Sequence, residues 1–180
     1  MVDSPFFVKF VNSLHISSID TRTDHLHDPS YLSRRANEWG FTDTELTEDM
    51  NSLLALRTAI RNVLFQVSRQ GTVEPEDLAF INSVIKPEVR LLELIASEKT
   101  IVETKTTKEN TYSPHEFLAH DFARSVAHYG IKRFKLCAND TCLWAFHDTS
   151  KNGSKKWCSS AACGNTDKVR RFRERKKNAT

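Results

Sequence analysis

Glycine and proline are scarce in this chain, five of each in 180 residues, and the glycines never cluster. That spacing excludes a glycine-rich phosphate loop, and no nucleophile elbow is present either. No internal repeat and no low-complexity linker appears, which argues against a solenoid or a tethered array. Long apolar runs are missing as well: Lys9, Asn12 and His15 interrupt the apolar opening, and no stretch of 18 apolar residues follows. The expectation is a soluble, cytoplasmic protein with no membrane partner. Cysteine is restricted to four residues, all of them beyond residue 136. In a reducing compartment clustered thiols more often hold metal or do redox chemistry than form structural disulfides.

Acid is scarce in the last part of the chain. After Gly130 there are 13 lysines and arginines against four acidic residues, a balance of +9, which leaves −6 for residues 1–130. An acidic body with a basic end points to a segment that meets a polyanion, carried on a body with another task. What is present in quantity is ordinary globular material, 39% hydrophobic and 27% charged, enough to bury a core.

Hydrophobic spacing predicts a mainly helical body over residues 1–130. Phe6, Phe7, Phe10, Val11 and Leu14 share one face of a first helix. A polar loop from Ile16 leads past the Asp28-Pro29 turn to a helix over Tyr31–Trp39, stopped by Gly40. The longest pattern, about 48 to 69, puts Leu53, Leu54, Ile60, Val63 and Leu64 inward and Arg57, Arg61 and Arg69 outside that face. Pro75 opens a further helix with Glu76 and Asp77 in its first turn. Residues 89–107 are rich in β-branched positions, which fits a small hairpin turning near Ser97–Lys99, with a helix over Leu91–Ala96 as the competing form. Ser113-Pro114-His115-Glu116 is a capping box that starts the last helix of the body.

The four cysteines form two pairs of one spacing, Cys137-x4-Cys142 and Cys158-x4-Cys163. Two short loops of this kind can each offer two thiolates, and four soft sulfur ligands suit one structural zinc ion. Unligated core thiols and a redox pair are the competing readings. Between the pairs, Leu143–His147 and Lys155–Trp157 are expected as strands around an Asn152-Gly153 turn. A knuckle, a hairpin and a second pair running into a helix make a zinc-ribbon-like or treble-clef-like α+β module over residues 131–180. A closed site of four sulfurs has no open coordination position, which argues against metal catalysis. Of the aromatic residues here, Trp144, Phe146 and Trp157 are expected mostly in the small core, and His147 beside the cluster rather than in it.

Phe134 to Lys177, with its C-x4-C pair, FHDTSKNGSKKWC, ACGN and KVRRFRER, resembles the CGNR zinc finger. The motif that names that family reads Cys163-Gly164-Asn165-Thr166 here, without its arginine. FVNSLHI near the start is similar to the opening of the ABATE domain, with Lys9 where an aspartate often stands. The resemblance implies a bacterial, stress-linked transcription regulator that binds nucleic acid through its finger.

The helix after Asn165 carries Asp167 early and its cations late, in keeping with the helix dipole. Val169 and Phe172 are placed to pack on the finger. Lys155, Lys156, Lys168, Arg170, Arg171, Arg173, Arg175 and Lys177 are the candidate nucleic-acid contacts, with DNA favoured, RNA as the alternative, and a homodimer allowed. A protein-interaction adaptor stabilised by zinc is the reading from another class. The polar clusters His25, His27, Asp28 and His115, Glu116, His120, Asp121 are expected to be caps and surface groups, so no enzyme activity is expected.

Overall fold

A computed structural model describes residues 4–16, 22–85, 90–96, 102–108, 112–139 and 141–177. Its first helix, α1 (Phe6–Val11), buries Phe7, Val8, Phe10 and Val11. It ends earlier than its apolar stripe predicts. Leu14 belongs instead to a strand, β1 (Leu14–Ile16), paired antiparallel with β2 (Arg22–Asp24), where a loop was expected. A ladder of three residues is set by its partner rather than by its own periodicity, so nothing in the local pattern reveals it.

Helix α2 (Pro29–Trp39) follows local rules closely. Asp28 accepts from the Ser30 amide at 2.9 Å, Pro29 opens the helix, and Gly40 closes it at φ 81°, a left-handed conformation glycine takes without steric cost. Thr42 and Glu45 form a capping box, with Glu45 N donating to Thr42 Oγ1 at 3.2 Å and Thr42 N donating to Glu45 Oε2 at 2.7 Å. They start the short α3 (Asp43–Glu48). The central α4 (Met50–Arg69) buries Leu53, Leu56, Ala59, Ile60, Val63 and Leu64.

Arg57 is a correction to the predicted polar face. It is 5% exposed and its guanidinium grips both Asp24 oxygens and donates to Ser13 Oγ at 2.8 Å. Asp24 sits at the end of β2, so the hairpin supplies the counter-charge that lets an arginine lie inside the helix face. Helix α5 (Pro75–Val84) packs on α4. Strands β3 (Arg90–Ala96) and β4 (Val102–Lys108) pair antiparallel from Arg90↔Lys108 to Ala96↔Val102, which removes the helix alternative. The predicted turn at Ser97–Lys99 lies outside the described residues. Helix α6 (Pro114–Tyr129) starts from the expected Ser113 capping box.

The strands and α-helix that follow are β5 (Phe134–Leu136), β6 (Ala145–His147) and α7 (Asn165–Lys177). Strands β5 and β6 pair antiparallel, Phe134↔His147 to Leu136↔Ala145. The predicted hairpin between Leu143–His147 and Lys155–Trp157 does not form. Lys155–Trp157 is irregular backbone, joined to the strand layer by Ala138 N donating to Lys156 O at 2.9 Å. The architecture is a mainly helical body with a small α+β module at its C-terminal end.

One apolar core serves both parts. Phe7, fully buried, meets Phe122 of α6 and Phe134 of β5 with ring centroids 5.0 Å from each. Leu136 and Ala145 belong to the same cluster as the helical residues. Asn12, buried at the end of α1, seals the junction by donating to Ala145 O at 2.9 Å and accepting from Ala145 N at 2.8 Å.

Candidate metal centre and basic surface

The first cysteine pair is held by a knuckle between β5 and β6. Cys137 N donates to Trp144 O at 2.9 Å, and Cys142 N donates to Asn139 O at 2.9 Å. Asn139 Oδ1 meanwhile accepts from the amide and hydroxyl of Thr141. Leu143 takes φ 49° to turn the chain back into β6, a conformation that costs a β-carbon-bearing residue roughly 1–2 kcal/mol. The second pair lies on a wide turn. Gly164 N donates to Ser159 O at 3.1 Å, and Ser159 Oγ accepts from Ala162 N. The turn runs directly into α7.

These two loops bring Cys137, Cys142, Cys158 and Cys163 together, with all four sulfurs within 4.8 Å of one another. Cys142–Cys158 and Cys158–Cys163 are each 3.7 Å apart. A tetrahedron with Zn–S bonds of ~2.3 Å has edges of about 3.8 Å, so the spacing is that of ligands around one ion. The thiols are free, not bonded in pairs. Protons on such a cluster are unevenly held: burial pushes Cys142 up to about 11 and also raises Cys158, next to the other thiols. Burial opposes ionisation of Cys163 too, but hydrogen bonds from Cys142, Cys158 and Cys137 outweigh it and lower its pKa. The donor set is compatible with one structural zinc ion, which would displace those protons.

Around the cluster, Cys137 and Cys163 are buried and Cys142 and Cys158 half-buried. Trp157 lies over the Cys163-Gly164 turn, where a β-carbon on Gly164 would sit 3.5 Å from its ring. Phe146 is buried, whereas Trp144 is 37% exposed. His147 stays apart from the sulfurs' group. It stacks on Phe134 at 4.8 Å and meets Tyr129 at 4.4 Å, and burial, with the Arg133 charge, lowers its pKa.

The loop after β6 is built on buried charge. Asp148, fully buried, accepts from Lys135 Nζ at 2.7 Å, Ser150 Oγ at 2.6 Å and the amides of Ser150 and Lys155 at 3.0 Å. Arg133 donates to the carbonyls of Asp148, Ser150 and Lys151. Beside this loop runs a cleft of about 560 Å³ between the end of α4 and the finger. Arg69, Lys132, Lys135, Lys155 and Lys156 line it, and among the described residues no acidic side chain does. Lys155 and Lys156 were predicted contacts. Arg69 and Lys132 were not, because Arg69 lies far off in sequence and only the packing of α4 on β5 brings it here.

The other six predicted contacts lie on α7. Arg170 is tied to Asp167 and Glu174, and Arg171 to Asp167, each at 2.8 Å. Lys168, Arg173 and Arg175 are exposed. Lys177 closes the helix, its side chain outside the described residues. Val169 and Phe172 correct the prediction: they are 49% and 62% exposed, not packed on the finger. The inward position of the first turn goes to Asp167, which is 6% exposed. Thr166, in the place of the motif's arginine, donates its hydroxyl to Ala162 O at 3.1 Å and so closes the cysteine turn.

Of the polar clusters expected as caps and surface groups, Glu116 and His120 are buried. His115 bonds Asp49 at 2.7 Å and Ser113 at 2.9 Å. His25 stacks on Tyr31, Asp28 caps α2, and His120 is buried against Tyr112. Asp121 accepts from the Phe7 amide at 2.8 Å.

Comparison with known proteins finds two family models on this chain. Residues 4–129 match ABATE, described as "Putative stress-induced transcription regulator". Residues 133–176 match the CGNR zinc finger. No curated protein matches the chain.

Proposed function

Since the chain belongs to the ABATE family and ends in a CGNR zinc finger, we propose that it is a bacterial, cytoplasmic transcription regulator that binds nucleic acid, DNA in preference to RNA. Cys137, Cys142, Cys158 and Cys163 hold one zinc ion. The ion folds the finger, and the finger fixes the start of α7 and the wall of the basic cleft. Exposed Lys168, Arg173 and Arg175 on α7, with Lys132, Lys155 and Lys156 at the cleft, meet phosphates. The helical body senses a signal or mediates association, and no residue is assigned a catalytic role.

The observation that carries this reading is the four-thiol cluster at the foot of a helix whose outer side is cationic. Neutralising phosphates with lysine and arginine releases counterions, so binding falls steeply with salt. The test is zinc content of the purified protein, followed by affinity for duplex DNA and structured RNA over a salt series. About one zinc per chain and a steep salt dependence on DNA are expected. Weak, salt-insensitive binding to both polymers overturns the nucleic-acid reading.

A protein-interaction adaptor is the second reading, favoured by the exposure of Val169 and Phe172 on α7. It predicts a partner whose recovery survives nuclease treatment and is lost in Cys137→Ser.

A further inference from the structure

A second cleft, of about 530 Å³, lies where the body meets the finger. Its volume is that of small-ligand sites, about 300–1,000 Å³. Its chemistry differs from that of the basic cleft. Lys9, Tyr31, Arg34 and Arg35 from α1 and α2 form one wall, and Trp144 and Phe146 of the finger form the other. The aromatic side chains are already oriented. His25 stacks on Tyr31 at 5.4 Å, Arg35 lies over the Tyr31 ring at 5.1 Å, and His15 meets the edge or face of Trp144 at 5.4 Å. Trp144 keeps an open surface, 37% exposed, on a wall otherwise apolar.

Most of the charged side chains of this cleft are already paired. Glu38 pairs with both Lys9 and Arg35. Asp28 is committed to the amide and hydroxyl of Ser30, both at 2.9 Å. Arg34 has no carboxylate partner among the described residues. Lys9 and Arg35 are satisfied by Glu38, so Arg34 is the cation left to meet a ligand. A single carboxylate fits one guanidinium, and a flat apolar group fits the indole and phenyl wall.

We propose that this cleft binds a small aromatic monocarboxylate, its ring against Trp144 and Phe146 and its carboxylate on Arg34. Cys158 also lines the cleft, so its occupant lies between the body and the finger, beside the metal centre. This gives the signal-sensing half of the proposed function a ligand class and rests on that reading only there. Binding is measured without nucleic acid, so a failure here leaves the finger's own activity untouched.

The experiment is calorimetric titration of the full, zinc-loaded chain with benzoate, 4-hydroxybenzoate and indole-3-carboxylate, beside their uncharged amides and adenosine monophosphate. At least one acid is expected to bind saturably, one per chain, with Kd below about 1 mM. Its amide should bind at least about tenfold more weakly, the loss of one charge-assisted contact. Arg34→Gln, at an exposed position, should weaken the acid to a similar degree, and Arg34→Lys should restore part of that affinity. Three results overturn the proposal: no acid binding below about 1 mM, acid and amide binding alike, or adenosine monophosphate binding about tenfold tighter than every acid. The acid and amide comparison is made on the unaltered chain, so it decides the matter whether or not the variants fold.

Discussion

Asp148 is a carboxylate with no solvent contact, and its four hydrogen bonds organise the loop between β6 and the second cysteine pair. Burial alone would raise its pKa, but Lys135, Ser150 and their hydrogen bonds hold it well below the usual carboxylate range. A carboxylate with a depressed folded-state pKa contributes stability that is fully present above the unfolded value of ~3.9 and is lost as pH falls through the folded one. Unfolding measured in urea from pH 7 to pH 2 should therefore show this contribution declining only below about pH 4. Asp148→Asn removes it at every pH and takes the counter-charge from Lys135, which keeps its bonds to the Gly153 and Lys155 carbonyls, a loss of about 3 kcal/mol at pH 7. A variant as stable as the parent at pH 7 would show that those carbonyls alone hold Lys135. Arg57→Ala makes the same kind of break inside the body. It leaves Asp24 without its guanidinium, and about 3 kcal/mol of stability should go with it, read from the urea midpoint at unchanged slope.

At the scale of elements, the basic cleft and α7 make separable contributions to polyanion binding. Lys132→Gln with Lys156→Gln removes two exposed cations from the cleft and disturbs no ion pair among the described residues. If both meet phosphates of a duplex, the slope of log K against log salt should become shallower by about 1.8, or about 0.9 for each contact. Thr166→Arg tests the opposite direction. It places an arginine on the exposed first turn of α7, beside Arg170 and Arg173, and affinity for DNA at low salt should rise. An unchanged slope in both variants would place the phosphates elsewhere. Elements were legible where one residue carries a local rule: Gly40, Pro75 and Ser113 mark helix ends correctly, whereas Asp28 and Pro29, read as a turn before a helix from Tyr31, cap and open that helix themselves. The Thr42 and Glu45 capping box of α3 was equally readable but stands before a helix of six residues, too short for its periodicity to draw notice. What could not be read locally depends on partners distant in sequence. Asn152-Gly153 forms its turn, yet the strand after it is displaced because β6 pairs backwards with β5 across the knuckle. Arg57 reads as surface until β2 brings Asp24 to it. Val169 and Phe172 read as core because helical spacing shows that two residues share a face, not which face meets the finger. The cysteine cluster was legible because two equal spacings already specify two loops.

At the scale of the whole molecule, the composition changes at about residue 130, and the apolar core crosses that point through Phe134, Leu136 and Ala145. Metal binding and body stability are then linked, since an ion that binds only the folded finger stabilises whatever must be folded with it. Asn12→Ala isolates this link. Asn12 lies in α1's C-terminal cap, is no ligand of the cysteine cluster, and exchanges two buried hydrogen bonds with Ala145 of β6. Its loss leaves a buried amide and carbonyl of the finger unsatisfied, about 2–3 kcal/mol in all. Some of that cost should appear as weaker zinc retention, at least about fivefold by competition with a chromophoric chelator, although the substitution lies 125 residues before the first cysteine. The reverse half of the linkage is a chelator that lowers the thermal midpoint of the helical signal and not only that of the finger. If Asn12→Ala holds zinc as tightly as the parent and the chelator leaves the helices unmoved, the finger folds on its own, and a signal received by the body has no energetic route to α7 through this core.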